Sequence, residues 1–351
     1  MVVKASSYQK LKLIDRQQLA EYITGLAWSN DAGLAVITAS GELALWQRDE
    51  FCILATFDGF SLNCVGFSPD ARYLAAAGQK GEVQIWQNQE NSAYELVTSY
   101  QSEKAWIDSL CWHPTKNILA YGVNRQIVIW DGDKQTEIAR LDFAASSVFA
   151  LAWRPQGDLL AVSGHGGVKV WQLADLTQKP ELLEVPGASL DCAWSVDGSY
   201  LASGNLDRTV SVLQWGDPPP WLMQGFPGKV SQVAWSSQSG SSPGQKDSLA
   251  ATCQEGIAVW QRKGDDWDEY VLTHENSIKA IAFNRDNLLA TAGDDEYVQL
   301  WSGQKLVKSL KGLSSGCSCL AWYPDGAYLA VGGNNGEFLI WQRSTAGKGF
   351  G

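Results

Sequence analysis

The chain has 351 residues, 45% of them hydrophobic and 19% charged, with 17 Trp, 34 Gly and a formal charge of −11. The Trp and Gly counts exceed average usage and point to periodic aromatic and turn positions, while the acidic balance argues against a surface built to neutralise nucleic-acid phosphates. No run of about 18 apolar residues and no leader-like N-terminal stretch is present, so neither membrane insertion nor secretion is indicated and a cytoplasmic protein is expected.

The first element in chain order is "YQKLKLI" at 8–14, an isolated strand candidate. Eight copies of one pattern follow it. Each opens with an apolar phrase: "ITGLAWS" at 23, "LNCVGFS" at 62, "IDSLCWH" at 107, "VFALAWR" at 148, "LDCAWS" at 190, "VSQVAWS" at 230, "IKAIAFN" at 278 and "CSCLAWY" at 317. A turn such as "SPDA" or "YPDG" comes next, where Pro presets φ and Gly or Asp tolerates the corner, and then a small-residue strand such as "LAAAG" or "LAVGG". Each copy then reaches an alternating run that ends at Trp46, Trp86, Trp130, Trp171, Leu213, Trp260, Trp301 or Trp341. A weaker alternating run follows, as in "CILATF" at 52 and "KLVKSL" at 305, which makes four short strands per unit, a to d. The intervals between endings are 40, 44, 41, 42, 47, 41 and 40 residues, the period of a four-stranded propeller blade.

On these residues the chain resembles the WD-repeat family of β-propellers, over roughly residues 8 to 342. The order "AWS", "PDG", "LASG", "VxLW" and its eightfold recurrence carry the resemblance. Two features depart from it: Gln stands where Asp usually follows the strand c Trp (Gln47, Gln87, Gln172, Gln261, Gln342), and the Gly-His pair before strand a is missing. The expected fold is all-β, a single closed propeller over residues 1–351 with eight four-stranded blades, seven being the fallback count. The Gly-rich "QRSTAGKGFG" after Trp341 is a poor strand, so the N-terminal strand is expected to complete the last blade and remove an open edge.

The family resemblance also implies a structural hydrogen-bond chain linking a His before strand a, a Ser or Thr on strand b, an Asp in the b-to-c turn and the strand c Trp. His274, Thr291, Asp295 and Trp301 match that spacing in unit 7, so this His, Thr and Asp are read as structural and no catalytic residue is assigned. Unit 5 keeps only Ser203 and Asp207. His113 and His165 are scattered in turns and make no site. The seven Cys include no CxxC spacing and fall where the repeat wants small or apolar residues, so reduced thiols are expected, with neither metal nor cofactor; Cys317 and Cys319 lack further clustered ligands.

Function is therefore expected on the end faces, where loops vary while the strands carry the core. The top carries the d-to-a and b-to-c connections, and the aromatics Tyr22, Phe60, Trp106, Phe143 and Phe226 stand near the starts of strands a, with Arg125 and Arg208 in b-to-c turns. An aromatic rim of this kind suits a protein or peptide partner. Asp58, Glu103 and Asp108 beside Phe60 and Trp106 suggest that the partner segment is basic. The expected function is a non-catalytic protein-interaction scaffold or assembly factor, itself monomeric. The alternative is a metal-handling or enzymatic propeller with a site near the central channel, for which Asp191, Gln232 and Lys279 are the polar candidates. Two segments break the repeat: "SSQSGSSPGQKDS" at 236–248, read as a long loop, and "GDPPPWLMQGF" at 216–226, read as a stiff turn on the bottom that carries Trp221.

Overall fold

A computed structural model describes residues 11–47, 50–89, 93–102, 105–144, 146–236, 247–254, 256–263 and 266–343. These residues form β-strands and turns, and among them no helix is long and apolar enough to cross a membrane. The strands build a propeller. Six sheets have four antiparallel strands each, and a seventh has six.

The strand characters follow from their distance to the axis. Strands b, such as Leu34–Thr38 and Tyr73–Gly78, are buried along their whole length, because both faces pack on neighbouring sheets; that is why they read as unbroken runs of Ala, Val, Leu and Gly. The strand d Glu50–Thr56 mixes half-buried and exposed residues and has no buried one, since it lies at the outer edge of its sheet. Inner strands touch the inner strands of the units before and after, and Ile23–Trp28 meets Cys317–Trp322, which closes the ring.

Closure uses the chain's first described strand. Leu11–Gln18 pairs antiparallel with Glu337–Arg343, placing Leu13 opposite Trp341 and Gln18 opposite Glu337. Arg16 clamps the join: its guanidinium lies 2.5 Å from Glu337 and donates to the Gly312 carbonyl at 3.0 Å. Asp15 accepts a hydrogen bond from the indole of Trp46 in the first unit, so the closing strand holds both sides of the seam. This strand lies further along the chain than the expected 8–14, of which residues 8–10 fall outside the described residues. Its polar half, Asp15–Gln18, belongs to the strand because an outermost strand has a face in solvent.

Seven hydrogen-bonded sheets are present rather than eight separate ones, which agrees with the smaller expected count. The cause lies in the fourth and fifth units. Leu159–Gln172 and Glu181–Trp194, each 14 residues long, run through segments that read as two strands apiece, and His165 pairs with Ala188 across the two units, so their strands share one six-stranded sheet.

Aromatic side chains fill the seams between units. Six Trp at the ends of inner strands donate their indole N–H to a carbonyl on the preceding inner strand: Trp28 to Ala321 (3.0 Å), Trp112 to Gly66 (2.9 Å), Trp153 to Cys111 (3.4 Å), Trp194 to Ala152 (3.2 Å), Trp235 to Ala193 (3.0 Å) and Trp322 to Ala282 (3.2 Å). Phe67 and Phe283 take the same position in the remaining two units and have no N–H to give. The carbonyl ladder needs a small residue under each indole, which explains the column of Ala, Gly and Cys one position before these Trp.

The proline segment is a strand, not a bottom turn. Asp217–Met223 is the outer strand of the fifth unit, with Trp221 opposite Val212. Proline is tolerated there because an edge strand pairs on one side only and need not donate from every N–H. Trp221 is 40% exposed and packs on Tyr200 and Trp267 at 6.0 and 6.3 Å between ring centres. The expected long loop lies mostly outside the described residues, at 237–246, and its ends are tied where the Ser236 N–H donates to the Ser248 carbonyl at 2.8 Å.

Candidate functional site

The polar group that most resembles catalytic machinery lies in unit 7. His274 Nδ1 is 2.7 Å from Asp295 Oδ2, His274 Nε2 is 2.6 Å from Thr291 Oγ1, and the Trp301 indole donates to the same Thr291 oxygen at 3.0 Å. All four belong to one chain of hydrogen bonds. With the imidazole proton on Nδ1, His274 donates to Asp295, Thr291 donates to Nε2, and the Thr291 oxygen accepts from Trp301. Every donor then has an acceptor, and neither imidazole nitrogen remains available for a substrate. His274 and Asp295 are buried, and Thr291 is fully enclosed. Unit 5 builds a different network around Ser203, which bonds Ser189 at 2.7 Å and Asn205 at 2.6 Å, while Asn205 reaches Thr209 and Ser211. Asp207 joins it through Thr209 at 2.7 Å.

The other two histidines serve local roles. His113 is buried, its Nδ1 accepts from the Thr115 and Lys116 amides, and its Nε2 lies 2.9 Å from the Gly157 carbonyl. Burial holds its pKa below the ordinary imidazole value. His165 is exposed, 5.9 Å from the Phe149 ring.

At the channel wall the three polar candidates are spoken for separately. Asp191 accepts from the Cys192 and Val233 amides, both at 2.9 Å, and Gln232 accepts from the Ile281 amide at 2.9 Å. Each thus ties its own inner strand to the next one. Burial raises the Asp191 pKa to about 6, against the pull of those two amides. Lys279 pairs with Asp294 at 3.2 Å. Among the described residues no three His, Cys, Asp or Glu side chains come close enough to hold a metal ion. Cys317 and Cys319 are free thiols whose pKa values are raised by burial, Cys319 to about 12, which keeps them protonated.

The top rim is different in kind. Trp106 is 61% exposed, Phe60 48% and Tyr22 42%. Phe60 and Trp106 flank one turn, Gly78–Gly81: the Gln79 amide donates to the Ser61 carbonyl at 2.8 Å, and the Ile107 amide to the Gly78 carbonyl at 3.2 Å. Backbone packing fixes the Phe60 connection as well. Gly41 has φ +85°, and a Cβ there would meet the Phe60 carbonyl oxygen at 2.5 Å, so only glycine fits beneath it.

The turn carries Lys80, which bonds Asp58 at 2.9 Å and Glu82 at 3.0 Å. Those contacts, with Asp58 first, raise the Lys80 pKa. Burial pushes the Glu82 carboxyl up, but hydrogen bonds from Ser99, Gln84 and Lys80 outweigh it and hold the pKa below the ordinary value. Trp106 borders a pocket of about 270 Å³ with Asp108, Asn124 and Ser147. A second pocket of about 460 Å³ shares Asn124 and Ser147 with the first and adds Arg125, Arg140 and Asp142. Arg140 is paired with Glu137 at 2.7 Å, whereas the exposed Arg125 guanidinium has no partner among the described residues. Asp108 accepts a hydrogen bond from the neutral Asn63 amide at 2.6 Å. Glu103 lies outside the described residues.

The remaining rim candidates divide. Phe143 is fully buried among Ile127, Leu160 and Trp171, with the Lys169 ammonium 4.9 Å above its ring, so it packs between units and offers no anchor. Phe226 is half-buried, edge-on to Trp260 at 5.7 Å. Arg208 is exposed, at φ +68° in its turn.

These features define an all-β propeller whose His274 cluster is internally satisfied and whose loop-built rim presents the exposed aromatics Tyr22, Phe60 and Trp106. The chain belongs to the WD40 family: the model described as "WD domain, G-beta repeat" matches residues 51–87, 94–131, 136–172, 185–213, 269–302 and 304–342. It is 24% identical over 92% of its length to telomerase protein component 1 of Mus musculus, covering 13% of that protein. It is 23% identical over 80% of its length to protein HIR1 of Eremothecium gossypii, covering 37% of it. With THO complex subunit 3 of Arabidopsis thaliana it shares 25% identity over 70% of this chain and 65% of that one. The chain therefore spans only a minor part of the first two relatives.

Sequence reasoning missed the indole-to-carbonyl ladder and the Asp191 and Gln232 ties. The recurrent Trp was the visible signal for the first. For the second, a lone Asp or Gln three residues before that Trp, in a column otherwise small, was the signal.

Proposed function

We propose that this chain is a non-catalytic interaction scaffold that holds a partner protein on its top rim, across Phe60 and Trp106. The observation that carries the reading is the pairing of the 61%-exposed Trp106 with two joined pockets and a free Arg125. Large aromatics next to unpaired charge are the groups that supply interface hot spots. An extended segment lying over the Gly78–Gly81 turn meets both rings, with a basic side chain toward Asp108 and an acidic one toward Arg125. The names of two relatives support a role within complexes, one being a THO complex subunit and the other a telomerase protein component.

The reading also takes the six-stranded sheet as two repeat units, giving eight. Its support is the indole ladder, in which Trp153 and Trp194 each donate to a carbonyl 42 residues earlier and so occupy successive rungs.

Trp106→Ala and Phe60→Ala test the site. Each is expected to weaken recovery of a co-purifying partner by the equivalent of about 1–4 kcal/mol with little change in melting. Full recovery with both substitutions present overturns it.

A further inference from the structure

The fifth unit departs from the repeat at two places that face each other. Leu213 stands where the other units have Trp, and Pro218–Pro220 lie in the outer strand beside it. Between the outer strands of the fourth and fifth units this leaves a groove of about 620 Å³, floored by Val170, Leu183, Leu213 and Trp215. A Trp at 213 would project into that space. Trp215 is held in that floor by an edge-on contact with Trp194 at 5.1 Å.

The rim of the groove has two distinct sides. On the proline side, Pro218–Pro220 have no N–H to donate and offer shape without pairing. On the opposite side, Glu181–Val185 pairs with Val168–Val170 and Gly167 along one edge, and its other edge is unpaired. Leu182 on this edge is 49% exposed. Glu181 and Glu184 border the groove, both exposed, and among the described residues neither carboxylate has a partner. Glu181 and Glu184, three apart on an unbroken register, stand on opposite faces of this strand, so an apolar floor, an open strand edge and a free carboxylate on each face of that edge bound the groove.

We propose that this groove is a second docking site, distinct from the Trp106 rim, for an extended segment of a partner protein with apolar side chains flanked by Lys or Arg. The segment adds as a strand along Glu181–Val185, seats an apolar side chain over Leu213, and sets its basic flanks against Glu181 and Glu184. Strand addition supplies main-chain hydrogen bonds, and the groove supplies selectivity for alternate side chains.

The test uses fluorescence anisotropy of the full chain with labelled nine-residue peptides that share a Leu-Val-Leu centre and differ only in Arg or Glu flanks. The Arg-flanked peptide is expected to bind at least tenfold more tightly. Leu213→Trp, which restores the repeat residue, is expected to weaken it at least tenfold, and Glu181→Lys with Glu184→Lys to reverse the flank preference. Trp106→Ala is expected to change nothing, which separates this site from the rim. Since Glu181 and Glu184 are exposed, their reversal carries the test even if Leu213→Trp fails to fold. Equal binding of the two peptides, or binding indifferent to both sets of substitutions, overturns the proposal. So does sedimentation showing a dimer of the unliganded chain that Leu213→Trp dissolves, because the occupant is then a second copy.

Discussion

The His274 chain in unit 7 and the Trp106 rim between units 2 and 3 are opposites. The first gathers His, Thr and Asp, the residue types of catalysis, yet every nitrogen and oxygen in it is engaged and the group is buried. The second is assembled from an indole, a phenyl ring and a lone guanidinium, none of which suggests chemistry, yet these are the groups left without partners. Residue type alone therefore misdirects. Buried polar groups that satisfy one another hold a fold together, and unsatisfied exposed ones are available to a partner.

The contrast can be pushed hardest at the closing seam, which is structural throughout. Deleting residues 1–14 removes Leu11–Ile14 from the strand that pairs with Glu337–Arg343 and is expected to lower the melting temperature by more than His274→Ala or Asp295→Ala does. A chain that melts unchanged after this deletion would mean the ring does not depend on that strand.

A smaller effect sharpens the unit 7 side. His274→Ala and Asp295→Ala are each expected to cost about 1–3 kcal/mol, the penalty for stranding a buried polar partner. The double substitution should cost little more than either alone, because both break the same chain. Denaturant unfolding measures both, and strict additivity would contradict a shared network.

The smallest expected effect concerns Asp191, which resembles the His274 chain in being internally satisfied and whose own pKa burial raises. The folded state binds its proton more tightly than the unfolded chain, so this group makes stability fall as pH rises from the ordinary carboxylate range through about 6. Asp191→Asn keeps an acceptor for the Val233 amide and removes the charge. It should flatten that part of the pH profile and raise the melting temperature at pH 7 by roughly 1–3 °C. An unchanged profile would show that Asp191 is not the group responsible.

Much of the fold was legible because a period of about 40 residues survives even where individual signature residues do not. The Trp-to-Leu change at 213 and the missing Asp after strand c left the register readable. What could not be read was hydrogen-bond continuity. "SGHGG" has the composition of a turn, but His165 pairs with Ala188 and carries the ladder from the fourth unit into the fifth. Nor did the prolines at 218–220 announce a strand, since only an edge position makes them admissible.

The rim was half legible. Aromatics in the d-to-a connections look alike in sequence, but distance to the end of the inner strand sorts them. Phe57 and Phe143 lie ten residues before Phe67 and Trp153 and are buried, whereas Tyr22, Phe60 and Trp106 lie six or seven before Trp28, Phe67 and Trp112 and are exposed. At ten the connection still follows the outer strand and its side chain turns into the seam. At six or seven it has crossed the top of the sheet, where a large ring has only solvent to meet.

The most direct measurement compares Trp106→Ala with His274→Ala in the same two assays, thermal melting and recovery of a co-purifying partner. The expected result is a crossed pattern: Trp106→Ala loses the partner at native melting temperature, and His274→Ala melts lower but keeps the partner when assayed below its transition. Loss of the partner in His274→Ala at a temperature where it remains folded, with Trp106→Ala unaffected, would contradict the division between the structural His274 chain and the proposed binding rim.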